Sequence, residues 1–127
     1  MNINRDYLIN LSLAKTGASR GKVISASNIV FYTSDRYTQN IFLVADTNIS
    51  GLDKIELIFG INGNNFRVTG TPLDDKTVLF DLDYKQLQTV GTYRAVISLH
   101  KGADILTSDL FKFRVEANLL REGDNNE

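Results

Sequence analysis

One histidine and a scatter of carboxylates are the groups in this sequence that could do acid–base or metal chemistry. A general base needs a pKa near neutrality and a partner within reach. His100 stands at the end of an alternating stretch, just before Lys101, and shares its parity with Arg94 and Ser98. It reads as a solvated or structural histidine. Asp74, Asp75, Asp81, Asp83, Asp104 and Asp109 supply hard oxygen atoms. A calcium site would need about six to eight such oxygens from converging loops. The alternating Asp-x-Asp-x-Asp-Gly loop is absent, so these read as turn carboxylates in water. Asp81 and Asp83, two residues apart, would share one strand face. There is no cysteine, no phosphate-cradling glycine loop and no nucleophile elbow. The expectation is no catalysis, no cofactor and no bound metal.

Twelve aromatic residues, seven Phe and five Tyr, are a second resource. Phe31, Phe42, Phe59, Phe66, Phe80, Phe111 and Phe113 fall in apolar, strand-like stretches and read as core. Tyr32 and Tyr37 differ, because they flank the polar corner Thr33-Ser34-Asp35-Arg36. Tyrosine with arginine is the composition of interface anchors. Tyr32, Arg36 and Tyr37 are therefore the candidate protein–protein interface; an ordinary exposed corner fits the same residues.

These side chains must be held by strands. Tyr7, Ile9, Leu11 and Leu13 alternate with Leu8, Asn10, Ser12 and Ala14, a first strand with one apolar face. Residues 16–27 are rich in Gly, Ser and Ala and read as a loop, with room for a short strand near Val23 and Ile24. Ile29–Thr33 and Gln39–Ala45 are short and β-branched or aromatic. Lys54–Ile61, Asn62-Gly63 and Asn65–Thr69 form the clearest hairpin, since Asn-Gly tolerates the positive φ of a type I′ turn. Pro72 cannot donate to a central ladder. Thr77–Leu82 is a strand, and Asp83–Gln88 has capping-box spacing for one helical turn that Gly91 would end. Thr92–His100 alternates cleanly. Lys101-Gly102 then turns the chain, and Leu110–Val115 returns with Phe111, Phe113 and Val115 inward.

About seven to nine strands at 8–12-residue spacing favour a β-sandwich or a small barrel. Leu87, Gly91, Tyr93 and Ala95 sharpen that choice. They resemble the tyrosine corner of immunoglobulin-like domains, with Ala95 where antibody domains carry cysteine; a plain inward aromatic of the strand fits Tyr93 as well. The expected fold is an all-β, immunoglobulin-like antiparallel β-sandwich with one short helical turn. Residues 1–117 would form it, and the polar stretch 118–127 would be a tail or the start of a linker.

Bulk composition excludes several classes. The chain of 127 residues suits one domain with its own core. Fourteen basic against fifteen acidic residues leave no field for a nucleic-acid groove. Apolar runs reach about five residues, against roughly 20 for a membrane helix. Asn10 and Ser12 interrupt the first apolar stretch, so no signal peptide is expected.

Three stretches carry a resemblance. They are Ile29-Val30-Phe31-Tyr32-Thr33-Ser34-Asp35 with Thr38 and Ile41-Phe42-Leu43; Gly91-Thr92-Tyr93-Arg94-Ala95; and Ser108 to Glu116, with its alternating aromatics. Their order and spacing, across about residues 5–117, resemble the N-terminal domain of the phage baseplate upper proteins, or upper-fibre proteins, of siphophages of Gram-positive bacteria. The resemblance implies a structural, non-enzymatic virion component, made in the host cytoplasm, that attaches a fibre or receptor-binding protein to the distal tail hub. It implies other baseplate proteins as neighbours and a trimer in a full-length protein with a stalk. No heptad follows Leu119-Leu120-Arg121-Glu122, so the chain would be either a fragment or a short adaptor. The alternative is a bacterial surface adhesin or carbohydrate-binding sandwich, which would need an export signal and an exposed aromatic platform.

Overall fold

The computed structural model describes residues 5–12, 23–26, 28–35 and 39–117. Among them are eleven strands: β1 (Arg5–Ser12), β2 (Val23–Ala26), β3 (Val30–Tyr32), β4 (Gln39–Ala45), β5 (Lys54–Ile61), β6 (Asn64–Thr69), β7 (Thr71–Pro72), β8 (Thr77–Leu82), β9 (Gly91–Lys101), β10 (Asp104–Thr107) and β11 (Phe111–Glu116). One 3₁₀ turn, Tyr84–Leu87, is the helical element. The tail proposed at 118–127 lies outside the described residues.

Two sheets form, with strand orders β2-β1-β4-β8-β7 and β3-β11-β9-β5-β6, and β10 adds to β9. We call the first sheet A and the second sheet B. The all-β sandwich is as expected from the sequence, but the pairing is mixed. β1 runs parallel to β4 and β3 parallel to β11, while the other pairs are antiparallel. A parallel pair needs a crossover, which a hairpin cannot supply. After β2 in sheet A the chain passes to sheet B for β3, then comes back as β4 beside β1. The count exceeds seven to nine because two short segments, β7 and β10, pair as well.

Local chemistry fixes the hairpins and caps. Asn62 (φ 54°) and Gly63 (φ 84°) supply the two positive-φ residues joining β5 to β6. Their register sets Phe59 opposite Phe66, with ring centroids 5.4 Å apart. Asp83 caps the 3₁₀ turn: its Oδ1 accepts the Lys85 N–H at 2.9 Å, while Gln86 Oε1 accepts the Asp83 N–H at 3.2 Å. The turn stops at Leu87 with Gln88 still α-helical in backbone. Gly91 therefore opens β9 rather than ending the turn.

The core lies between the sheets. Ile9 and Leu11, Ile41 and Leu43, and Phe80 and Leu82 face it from sheet A; Leu57, Phe59, Tyr93, Ile97 and Phe113 face it from sheet B. Phe113 is its hub. Its ring stacks on Tyr93 (centroids 5.1 Å, planes 10° apart) and meets Phe59 and Phe31 at 5.5 Å each. Tyr7 closes the row edge-on against Phe31 at 5.4 Å, and its hydroxyl donates to the Val30 carbonyl at 2.6 Å. Phe42 is not a core residue. In β4 the odd positions Ile41, Leu43 and Ala45 are buried, so Phe42 and Val44 face outward and are half-buried. A continuous apolar run conceals its own alternation.

The returning strand after Lys101 also differs from expectation. It begins at Asp104 and breaks at residues 108–110, so β10 pairs with one end of β9 and β11 with the other. Buried Ser108 joins the two halves. Its N–H donates to the Ile97 carbonyl at 2.8 Å, and its Oγ accepts the Ile97 N–H at 2.8 Å. The hydroxyl thus stands in for a ladder carbonyl that the break removes, and it donates in turn to the Asp109 carbonyl at 3.0 Å.

Candidate interaction surface

The tyrosine corner is present. Tyr93 is 1% exposed; its hydroxyl donates to the Thr89 carbonyl at 2.9 Å and accepts the Thr89 N–H at 3.3 Å. Burial pushes its phenol pKa up, and the Thr89 bonds oppose that in part. Gly91, at φ 143°, lets the chain enter β9; a Cβ there would sit 2.8 Å from Ile61 Cδ1. Leu87 and Ala95 are buried beside it. This end of the sandwich is structural.

His100 is not isolated. Its Nε2 lies 3.3 Å from Glu56 Oε1 and 2.9 Å from Ser98 Oγ. Glu56, 5% exposed on the outer face of sheet B, also meets Arg67 Nη1 at 2.9 Å and Lys54 Nζ at 3.6 Å. Serine, histidine and glutamate invite comparison with a hydrolase triad, but both partners here address the same ring nitrogen. A relay needs one partner on each nitrogen, so that the acid orients the ring while the other nitrogen takes the proton. The arrangement is a polar knot at Glu56 that ties β5, β6 and β9 together, with Arg67 and Lys54 as its ion-pair partners. Sequence reasoning missed Glu56, because only the long-range register setting it opposite Ser98 and Thr69 reveals the cluster.

The carboxylates stay apart. Asp74 Oδ1 accepts the Lys76 N–H at 2.8 Å, and that backbone bond, with help from Thr77, holds its carboxyl below the usual range. Asp81 ends the outer face of sheet A, whereas Asp83 has left the strand to cap the turn, so the two do not share a face. Asp104 opens β10 and Asp109 follows its end. Among the described residues no group of three or more His, Asp or Glu could hold a metal ion.

Of the candidate anchors, Tyr32 closes β3, half-buried, opposite Glu116 of β11, which pairs with Arg114. Arg36 and Tyr37 lie outside the described residues. The start of their corner is tied down. The Thr33 N–H donates to the Glu116 carbonyl at 3.0 Å, the Asp35 N–H to the Tyr32 carbonyl at 3.1 Å, and Gln88 Nε2 to the Thr33 carbonyl at 3.2 Å. Tyr32, on this held segment, is presented without a large ordering cost.

A second surface was hidden in the sequence. The register aligns Leu8, Phe42 and Leu79 across the outer face of sheet A, with Val44 in the next row. Leu8 is 52% exposed and the others half-buried. The neighbouring row toward the corner is polar: Asp6, Asn40 and Asp81, with Asn40 Nδ2 donating to Asp6 Oδ1 at 2.9 Å. An apolar row with a polar rim is interface composition. The outer face of sheet B is basic instead, bearing Lys54, Arg67, Arg94, Lys112 and Arg114 against Glu56 and Glu116. Ile58, Val96 and Leu110 line a groove there of about 400 Å³. No helix among the described residues is long and apolar enough to cross a membrane.

No family model matches the chain, and no curated protein matches it. Among solved structures, plexin A4's full extracellular region aligns at 13% identity and a TM-score of 0.48, over 86% of this chain but 10% of that one, and carries no argument. The N-terminal domain of phage TP901-1 ORF48 superposes with a TM-score of 0.60 at 18% identity, over 90% of this chain and 99% of that one. This chain has the fold of that phage domain.

Proposed function

We propose that this domain is an attachment module of a phage tail baseplate, fixing a fibre or receptor-binding protein to the distal tail hub by protein–protein contact. One observation carries the reading: the fold is shared, nearly end to end, with the N-terminal domain of a phage protein. Three sequence stretches resembling baseplate upper proteins support it from a separate direction. The chemistry agrees in kind. The charged clusters serve the scaffold, and the surface offers an apolar row and a tethered corner.

In this role the sandwich is a rigid block. Tyr32, Arg36 and Tyr37 are the anchors, and the row Leu8–Phe42–Leu79 is a second contact for a neighbouring baseplate protein. Aromatic and guanidinium groups give large contact area at modest entropy cost. The near-neutral charge leaves docking to shape and apolar contact rather than to a long-range field.

Location in the particle tests the role. An antibody raised against the domain, followed by gold labelling and electron microscopy of intact virions, should mark the tail tip. Labelling of the capsid, of the tail tube, or of no part of the particle would overturn the attachment role.

A further inference from the structure

β10 is a short strand with an open edge, and its surroundings differ from those of the margins β6 and β7. β7 carries Pro72, and β6 exposes Asn64, Asn65, Arg67 and Thr69. Proline and charge are the usual guards of a sheet edge. β10 has neither within its apolar part: Ile105 is 63% exposed and Leu106 41%. Among the described residues it pairs with β9 alone. Ile97 exchanges bonds with Ser108, and the His100 carbonyl accepts the Asp53 N–H on the far side of β9. By the alternation of an antiparallel ladder, Lys101, Leu99 and Ile97 turn their backbones toward β10, and within β10 Asp104 and Leu106 turn theirs toward β9. The N–H and C=O groups of Ile105 and Thr107 therefore point away from the sheet.

Beside this edge lies a groove of about 300 Å³ lined by Ile49, Leu52, Leu99, Ile105 and Leu106 together with Lys101 and Asp104. The turn that presents it is braced: Asp53 Oδ2 accepts the Gly102 N–H at 2.6 Å. Asp104 opens the strand opposite Lys101 and Asp109 follows its end, so a carboxylate stands at each end of β10.

We propose that β10 is a docking edge for an extended segment of a partner protein that adds one strand to sheet B. The segment has an apolar residue for the groove and basic residues at its ends. Unpaired backbone calls for extended backbone, the floor calls for an apolar side chain, and the carboxylates call for positive charge. Area argues against a second copy as the occupant. Four residues of strand fall well short of the roughly 1,200 Å² that a stable specific interface buries, which suits a short segment within a larger contact. The edge would receive a strand whichever protein supplies it, so the proposal stands apart from hub attachment.

The test is an NMR titration of the ¹⁵N-labelled 127-residue chain with the capped peptide Lys-Val-Thr-Val-Thr-Lys. Saturable shifts and slowed exchange are expected at the amides of Ile105 and Thr107. The same peptide with Glu in place of Lys should bind roughly five-fold more weakly or worse. Thr107→Pro deletes an outward N–H and no bond to β9, so it should abolish binding with the melting temperature kept. Should that variant fail to fold, Asp104→Asn with Asp109→Asn should weaken the Lys peptide. No saturable shift up to about 5 mM peptide overturns the proposal. So do shifts confined to other surfaces, equal affinity for both peptides, or full affinity in the folded variants. Concentration-dependent shifts at β10 without peptide would assign the edge to a second copy and overturn it too.

Discussion

β9 runs the length of sheet B, and its two ends do different work. Toward Gly91 it is covered: β11 lies beside it, β3 beside β11, and Tyr93, Phe113, Phe59 and Phe31 fill the interior in one aromatic cluster. Toward Lys101 the companion strand is β10, four exposed residues with an open edge and a groove beneath. The same alternation runs through both ends. What differs is whether a second strand covers the first, and so whether a side chain contributes to folding or remains for a partner. The pattern suits an attachment domain: one end is fixed by packing, and the other can be engaged without disturbing the fold.

Substitutions at the two ends should separate these roles. Phe113→Ala removes the hub of the aromatic cluster and should cost about 3–5 kcal/mol, read as a large fall in thermal midpoint. An unchanged midpoint would mean that the covered end does not hold the domain together. Ser108→Ala, at the junction of the two ends, leaves the buried Ile97 N–H without an acceptor. It should cost about 1–3 kcal/mol in urea unfolding with the m-value unchanged. Tyr93→Phe should cost about 1 kcal/mol through the lost Thr89 bond.

Tyr93 also gives a pH dependence. Its pKa is raised above 10.0 in the fold, so its contribution is complete below pH 10 and is lost as pH rises beyond it. The midpoint should therefore fall more steeply in alkali for wild type than for Tyr93→Phe; identical slopes would contradict the buried corner. The smallest effect belongs to the open end. Ile105→Asn should change stability by less than about 0.5 kcal/mol. A loss of several kcal/mol there would show that β10 is part of the core.

The features that were legible in the sequence are those with local causes. β4, β5 and β8 could be bounded because β-branched runs end at turn residues. The Asn62-Gly63 turn, the Asp83 cap and the Tyr93 corner each follow from a few neighbouring residues. What was not legible depends on distant pairing. The parallel pairs, the Glu56 knot and the row Leu8–Phe42–Leu79 exist only through registers between strands remote in sequence. β10 escaped because Ile105 and Leu106 are adjacent and break the alternation. The exposed end is therefore the part that sequence describes least. Of the interface candidates, Tyr32 is in place beside a tethered corner, while Arg36 and Tyr37 lie outside the described residues.

The central claim, attachment by protein–protein contact, is tested most directly by calorimetric titration of the purified domain with the distal tail hub protein of the same phage, repeated with Arg36→Ala and Tyr37→Ala. The account predicts saturable binding at about 1 μM or tighter, weakened roughly ten-fold or more by each substitution, with melting temperatures unchanged. Unchanged affinity in both variants would move the contact away from the corner. No heat of binding at about 50 μM hub, with assembled tails also failing to retain the domain, would contradict the attachment role itself.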